Sequence, residues 1–352
     1  MTPGLRVAVL ALAAAVLLHG GVAAQSLAYS LFWQYLESLR VNTGIPGLSA
    51  VIVQDGHVVS AIGLGYRDVE AAHPAMPDTP YPLADLTQPL SATLLMRCVE
   101  RGELVLNLPI GNWVPRDEDP GATLRQLLTH ARPTSASGFR YEPARYGVLA
   151  TPAQACGELP FRKLLAQEIL DNSAMSDAVP GFDIASTPAE LRNLFDDTVL
   201  ARYAAVLQRM ATPYKVDKRG RASRSDMPPA AVDAAHGLVA SALDLAKFDA
   251  DLDRYVYLRR ETLIESWTNA THNGATIPTG LGWFVQTYQG EKLVWAFGHS
   301  PDAFSSLILK IPARRLTLIL LANSDGLSAP FALGDGDVTS SIFARTFLRL
   351  FL

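Results

Sequence analysis

Tyr81 to Leu104, YPLADLTQPLSATLLMRCVERGEL, is the stretch around which the chain is organised. From Leu90 onward it reads as a buried helix, with Leu90, Leu94, Leu95 and Cys98 on one face and Arg97, Glu100 and Arg101 opposite. Gly102 stands where a C-terminal stop belongs. In the N-terminal turn, Asp85-Leu86-Thr87-Gln88 fits a capping box, with Asp85 as N-cap and Gln88 reaching back. Pro89 has no N–H to offer in that register, so the helix is expected to start a residue or two later.

Upstream, Leu27 to Val41 is amphipathic, with Phe32, Tyr35, Leu36 and Leu39 at three- and four-residue spacing, and Gly44 and Pro46 end it. Two β-rich runs follow, Leu48 to Val53 and Val58 to Leu64. Asp55-Gly56 joins them, and that dipeptide favours a hairpin because a type I′ turn needs positive φ. Downstream, Leu124 to His130, Tyr146 to Ala155, Phe161 to Leu170 and part of Pro188 to Met210 read as helices. Ser241-Ala242-Leu243-Asp244 reads as a capping box opening a helix through Leu252. The chain closes with strands over Leu281 to Tyr288, Leu293 to Phe297, Phe304 to Ile311 and Leu316 to Ala322, then a helix over Ile342 to Leu352. Strands at both ends and helices between them predict an α+β fold: one antiparallel sheet built from both chain ends, flanked by helices, with a central helical lobe. The boundaries expected are a sheet lobe over 25–80 and 230–352 and a helical lobe over 81–229. A cleft between the lobes is the expected ligand site.

The 352 residues are 49% hydrophobic and 18% charged, enough for a sizeable core, and the formal charge of −4 gives no support to nucleic-acid binding. Residues 1–24 read as an export signal within Met1 to Ser26: Arg6, an apolar run from Val7 to Leu18, then small residues at Val22-Ala23-Ala24. That run is too short to span a bilayer comfortably, so a periplasmic or secreted chain without a stable membrane span is expected. The two cysteines, Cys98 and Cys156, fall in apolar stretches and read as buried free thiols. The seven histidines show no close His-x-x-x-His or His–Cys spacing, and no Gly-rich phosphate loop occurs, so neither metal nor cofactor is expected.

Several phrases, in this order and spacing, carry a resemblance over roughly the whole mature chain. They are Gly44-Ile45-Pro46-Gly47 before the hairpin, Leu127-Leu128-Thr129-His130, Ala235-His236-Gly237-Leu238-Val239 before the capped helix, and Gly280-Leu281-Gly282-Trp283. Together they resemble the serine β-lactamase and penicillin-binding family, nearest its class C β-lactamase, D-alanyl-D-alanine carboxypeptidase and esterase branch. The resemblance implies a β-lactamase/transpeptidase-like fold and three catalytic motifs: Ser-x-x-Lys opening the central helix, Tyr-x-Asn on a loop of the helical lobe, and Lys/His-Thr/Ser-Gly on an edge strand.

Each motif is altered. Asp85 stands in the place of the nucleophilic Ser and Gln88 in that of the Lys, and no Ser elsewhere has Lys three residues on. Tyr141-Glu142-Pro143 keeps the Tyr and loses the Asn, whose amide Pro143 cannot replace. His299-Ser300-Pro301 keeps the first two residue types but puts Pro where Gly would permit close approach. By the resemblance, Ala303 N–H and Asp85 N–H would be the oxyanion-hole donors. Loss of a nucleophile costs on the order of a million-fold in turnover. The candidate site is therefore Asp85, Gln88, Tyr141 and His299, with Pro143, Ser300 and Ala303 as binding positions. Three readings stay open: a catalytically impaired relative binding small peptide-like or cell-wall ligands, an active hydrolase of esters or amides using Asp85, Tyr141 or His299, and a non-enzymatic scaffold. The sequence assigns no oligomeric state.

Overall fold

A computed structural model describes residues 27–132, 135, 137–185 and 193–352. The export-signal segment Met1 to Ser26 lies outside the described residues.

Helix α1 (27–43) leads through a Gly44 turn into strand β1 (Gly47–Gln54) and strand β2 (His57–Asp68). Asp55 and Gly56 have φ of 53° and 75°, the pair of positive angles expected of a type I′ turn. A two-residue strand, β3 (His73–Pro74), ends this edge. The other end of the chain supplies β4 (Phe284–Tyr288), β5 (Glu291–Ser300), β6 (Phe304–Ile311) and β7 (Leu316–Ala322). Among the described residues these form one antiparallel sheet in the order β4-β5-β6-β7-β1-β2-β3. The two chain ends meet where β1 pairs with β7, with Leu48 opposite Ala322 and Gln54 opposite Leu316.

Alternation along β7 places side chains on both faces of the sheet. Ile319 and Leu321 belong to one buried cluster with Leu90 and Leu94 of helix α2 (Thr87–Glu100) and Phe248 of helix α3 (Ala242–Asp253). Leu318 and Leu320 belong to another, with Phe32 of α1 and Phe343 and Phe347 of helix α4 (Ile342–Phe351). Packed on both sides, this sheet reads as nearly continuous apolar runs. Short helices at Leu124–Leu128, Pro143–Tyr146, Ala150–Gln154 and Phe161–Leu165 surround α2. Tyr81–Pro82 and Val179–Pro180 pair with Leu238–Ala240, tying this helical part to the chain that enters α3.

Helix α2 starts at Thr87, one residue past the register that would make Asp85 its N-cap, as Pro89 requires; Pro89 then lies in the first turn, where a missing N–H leaves no helical bond unmade. Two expectations need correction. First, Ser241 caps α3 by accepting from Asp244 N–H at 3.1 Å, but the Asp244 carboxylate accepts from Asp177 N–H instead of reaching back. A complete capping box lies at Thr123 and Gln126. Second, Cys98 and Cys156 are joined in a disulfide, not free thiols. Helix α2 packs beside the 150–154 helix and brings their Cα atoms to 5.7 Å, within bridging range. Among the described residues, Cys98, Glu103 and Cys156 make the only group with metal-ligand proximity, and the bridge removes both thiolates.

Candidate functional site

Asp85 sits in a single 3-10 turn, Ala84–Leu86, immediately before α2. Leu83 N–H donates to Leu238 O at 2.8 Å, and Leu83 O accepts from Ser306 Oγ at 2.8 Å, so the turn is clamped across the end of the sheet. Gly298 makes that crossing possible, since a Cβ there would stand 2.1 Å from Leu83 O. The Asp85 side chain is only 8% exposed, and its Oδ2 accepts from His299 N–H at 3.4 Å. Burial pushes its carboxyl up to about 7; the His299 N–H and nearby His236 oppose the rise, and Asp233 adds to it. This corrects the capping box. The N-cap residue of α2 is Leu86, neither Leu83 nor Leu86 makes a side-chain cap bond, and Asp85 is a near-neutral acid, not a stabilised anion.

Gln88 has a different partner from the one expected. Its Oε1 accepts from His130 Nε2–H at 2.9 Å, while His130 Nδ1 accepts from Glu142 N–H at 3.4 Å. One neutral tautomer satisfies both bonds. Burial, helped by the Arg145 guanidinium, holds the His130 imidazole down to about 3, so it stays uncharged. Tyr146 stacks on His130 with ring centres 5.2 Å apart and donates to Gln88 O at 3.5 Å. Tyr141 packs against the same imidazole at 4.7 Å and against Phe297 and Phe284 at 5.1 and 5.3 Å. Burial first, then Asp85 and Tyr146, raise its hydroxyl well above the usual phenol range, so Tyr141 is a neutral member of an aromatic cluster.

The third motif ends β5. His299 Nδ1 and Ser328 Oγ are 2.9 Å apart, and Ser300 Oγ faces Met227 Sδ at 3.6 Å. Pro301 and Asp302 occupy the centre of a turn closed by Ala303 N–H to Ser300 O at 3.1 Å, with Asp302 at φ 58°. Proline suits the second position of such a turn. The turn also uses the N–H that the resemblance assigns to the oxyanion hole, which corrects the expectation for Ala303. Pro143 opens its one-turn helix at N1 and lines a separate cavity with Arg132 and Arg145.

The space at the motif positions is lined by Asp85, Gln88, His130, Tyr141, Phe284 and Phe297, among others. Its volume is about 10 Å³, the size of a single water site. Gly282 closes it from below: at φ 82°, a Cβ would stand 2.2 Å from the Ala92 Cβ of α2. The fold thus brings Asp85, Gln88 and Tyr141 together, but His299 reaches the group only through its backbone N–H, and Ser300, Ala303 and Pro143 do not line the space. The residues that sequence reasoning missed are His130, quoted only inside a phrase, and the His236–Asp233 pair. In that pair His236 Nδ1 lies 3.0 Å from Asp233 Oδ1, and its charge is felt at Asp85.

A two-ended antiparallel sheet, packed by terminal helices on one face and a buried central helix on the other, defines the fold of serine β-lactamases and penicillin-binding proteins. The Beta-lactamase family model matches residues 32–338, and the chain belongs to that family. Among curated relatives, it is 33% identical to Esterase EstB of Burkholderia gladioli over 123 residues, which are 33% of this chain and 30% of the esterase. It is 32% identical over 113 residues to serine beta-lactamase-like protein LACTB, mitochondrial, of Mus musculus, 30% of this chain and 20% of that protein. The matched stretches thus span a third or less of those relatives. The octameric penicillin-binding protein homologue from Pyrococcus abyssi superposes with TM-score 0.71 at 22% identity, covering 91% of this chain and 77% of that one. D-alanine carboxypeptidase AmpC from Burkholderia cenocepacia gives 0.69 at 18% identity, covering 93% and 99%.

Proposed function

We propose that this chain is a non-acylating member of the family, in which the positions of the serine chemistry have become packed interior. The observation that carries the reading is the space of about 10 Å³ among Asp85, Gln88, His130 and Tyr141, which admits at most one water. The chemistry agrees with the geometry. Gln88 cannot take a proton, and its acceptor oxygen is engaged by His130. Tyr141 is a neutral phenol among aromatic rings, and Ala303 N–H is used in a turn. Asp85 gains base strength as it approaches an apparent value of about 7, yet no substrate carbonyl fits beside it. The fold then persists as a scaffold, since fold and site are separable.

A second reading, a binder of peptide-like or cell-wall ligands, draws support from a separate cavity of about 500 Å³ to which Tyr141 contributes, with Phe139, Arg140, Pro278 and Asp335. A ligand there would lie against the tyrosine and not reach Asp85. The test of both is incubation of the wild-type protein with a fluorescent penicillin and a chromogenic acetyl ester. The expected result is no covalent label, and ester hydrolysis no faster than that of Asp85→Ala. Label traced to a serine overturns the main reading, and ester turnover abolished by Asp85→Ala establishes the hydrolase alternative. A ligand-dependent rise in melting temperature that Arg140→Ala removes would favour the binder.

Export to the periplasm or the exterior is part of the same proposal. It rests on Arg6, the apolar run Val7 to Leu18 and the small residues Val22-Ala23-Ala24, and an oxidising compartment suits the Cys98–Cys156 bridge. Among the described residues no helix is long and apolar enough to cross a membrane. N-terminal sequencing of protein from the expressing cells should give a start near Gln25, whereas an intact Met1 on cytoplasmic protein would contradict export.

A further inference from the structure

Strand β5 ends at His299 and Ser300 beside the motif positions and begins at Glu291 and Lys292. Seven residue steps of extended chain run from Lys292 to His299, roughly 23 Å. At that far end lies a cavity of about 360 Å³, walled by Tyr255, Ile264, Trp267 and Pro312 and rimmed by Arg260, Lys292 and Arg315. Its volume falls within the range of small-molecule sites.

Charge here runs against the rest of the molecule. The chain carries a formal charge of −4, yet three cations converge on this cavity. Among the described residues neither Arg260 nor Lys292 is in an ion pair, and Arg315 pairs only with Asp55, where both side chains are more than half exposed. The one acid in the lining, Asp253, is answered from the interior: its Oδ2 is 2.8 Å from Lys310 Nζ, which also binds Asp249 at 2.9 Å. Lys292 Nζ donates to Trp267 O at 3.1 Å, which holds its ammonium at the rim with donors to spare.

Trp267, 92% buried, forms part of the cavity wall. Three cations with donors to spare beside apolar and aromatic walls together ask for an anion with an apolar body.

We propose that this cavity is a binding site for an organic carboxylate with an aryl or alkyl body. Its carboxylate faces Arg260, Lys292 and Arg315, while its body lies against Tyr255, Ile264, Trp267 and Pro312. Guanidinium forks match carboxylate geometry, and the apolar walls favour such an anion over inorganic phosphate. The site is independent of the reading given to Asp85 and Gln88.

The probe is 1-naphthoate, titrated into the whole protein by calorimetry, with the indole N–H resonances followed by NMR and Trp267 assigned through Trp267→Phe. Saturable binding is expected, with movement of the Trp267 signal. Binding should weaken about tenfold or more in the double variant Arg260→Gln, Lys292→Gln and with the neutral analogue 1-naphthalenemethanol. Both substituted side chains are exposed, and an unchanged melting temperature confirms that the variant is folded. No saturable binding up to about 10 mM, which is weaker than about 3 kcal/mol of affinity, overturns the proposal. So does equal binding by the double variant or by the neutral analogue.

Discussion

Gln88 Oε1 accepts a hydrogen bond from His130 Nε2–H at 2.9 Å, across 42 residues of sequence. This bond ties the first turn of α2 to the end of the Leu124–Leu128 helix segment and fixes a neutral imidazole at φ 51°. It follows that Gln88 is an interior polar pair member and not a displaced catalytic base. Gln88→Leu keeps the volume and strands the His130 N–H, so it should cost about 1–3 kcal/mol of stability. Denaturant unfolding measures this; a change under about 0.5 kcal/mol would mean that the bond carries no weight.

Asp85 should make the protein less stable as pH rises. Its folded-state value is about 7, against an ordinary carboxylate value of 3.8, so between these the folded state holds a proton that the unfolded chain releases. The contribution of this acid is therefore fully present below about pH 4, declines as pH climbs, and is lost above about 7, a span of roughly 4 kcal/mol. Asp85→Asn removes the slope. Melting curves across that interval should converge at the acid end and separate above neutrality, with the variant the more stable. Parallel profiles would show that the carboxyl is not protonated in the folded state.

The Cys98–Cys156 bridge closes a loop of 58 residues between α2 and the 150–154 helix. Cross-links of this span ordinarily stabilise by about 2–4 kcal/mol. Reduction with dithiothreitol, or Cys156→Ser, should lower the melting temperature accordingly, and a labelling count should find no free thiol in the oxidised, denatured protein. Two alkylated cysteines without prior reduction would contradict the bridge.

The parts of the fold legible in the sequence were those with local causes. Asp55-Gly56 announces its turn by chemistry alone, and the apolar runs of β6 and β7, separated by the Pro312 to Arg315 turn, are short enough between turn signals to read as buried strands. Asp85-x-x-Gln88 is instructive because its local pattern is sound and still loses. A capping box offers exposed side chains something to do, but at 8% and 4% exposure both residues answer to tertiary partners, His299 N–H and His130. Nothing in periodicity could place Tyr141 between Phe284 and Phe297, more than 140 residues away. The cysteines failed for the same reason, since burial was readable and spatial adjacency was not. Pro301 was read as a lost glycine, whereas its effect is a turn that uses the N–H of Ala303.

The most direct test of a closed, non-acylating site is the double reversion Asp85→Ser with Gln88→Lys, incubated with a fluorescent penicillin. Restoring nucleophile and base does not reopen a space of about 10 Å³ held shut by Tyr141, Phe284 and Phe297, and does not free the N–H of Ala303. The account predicts a folded protein that takes no label. Stoichiometric label on the introduced serine would contradict it and would mean that only the two substituted residues separate this chain from its family's chemistry.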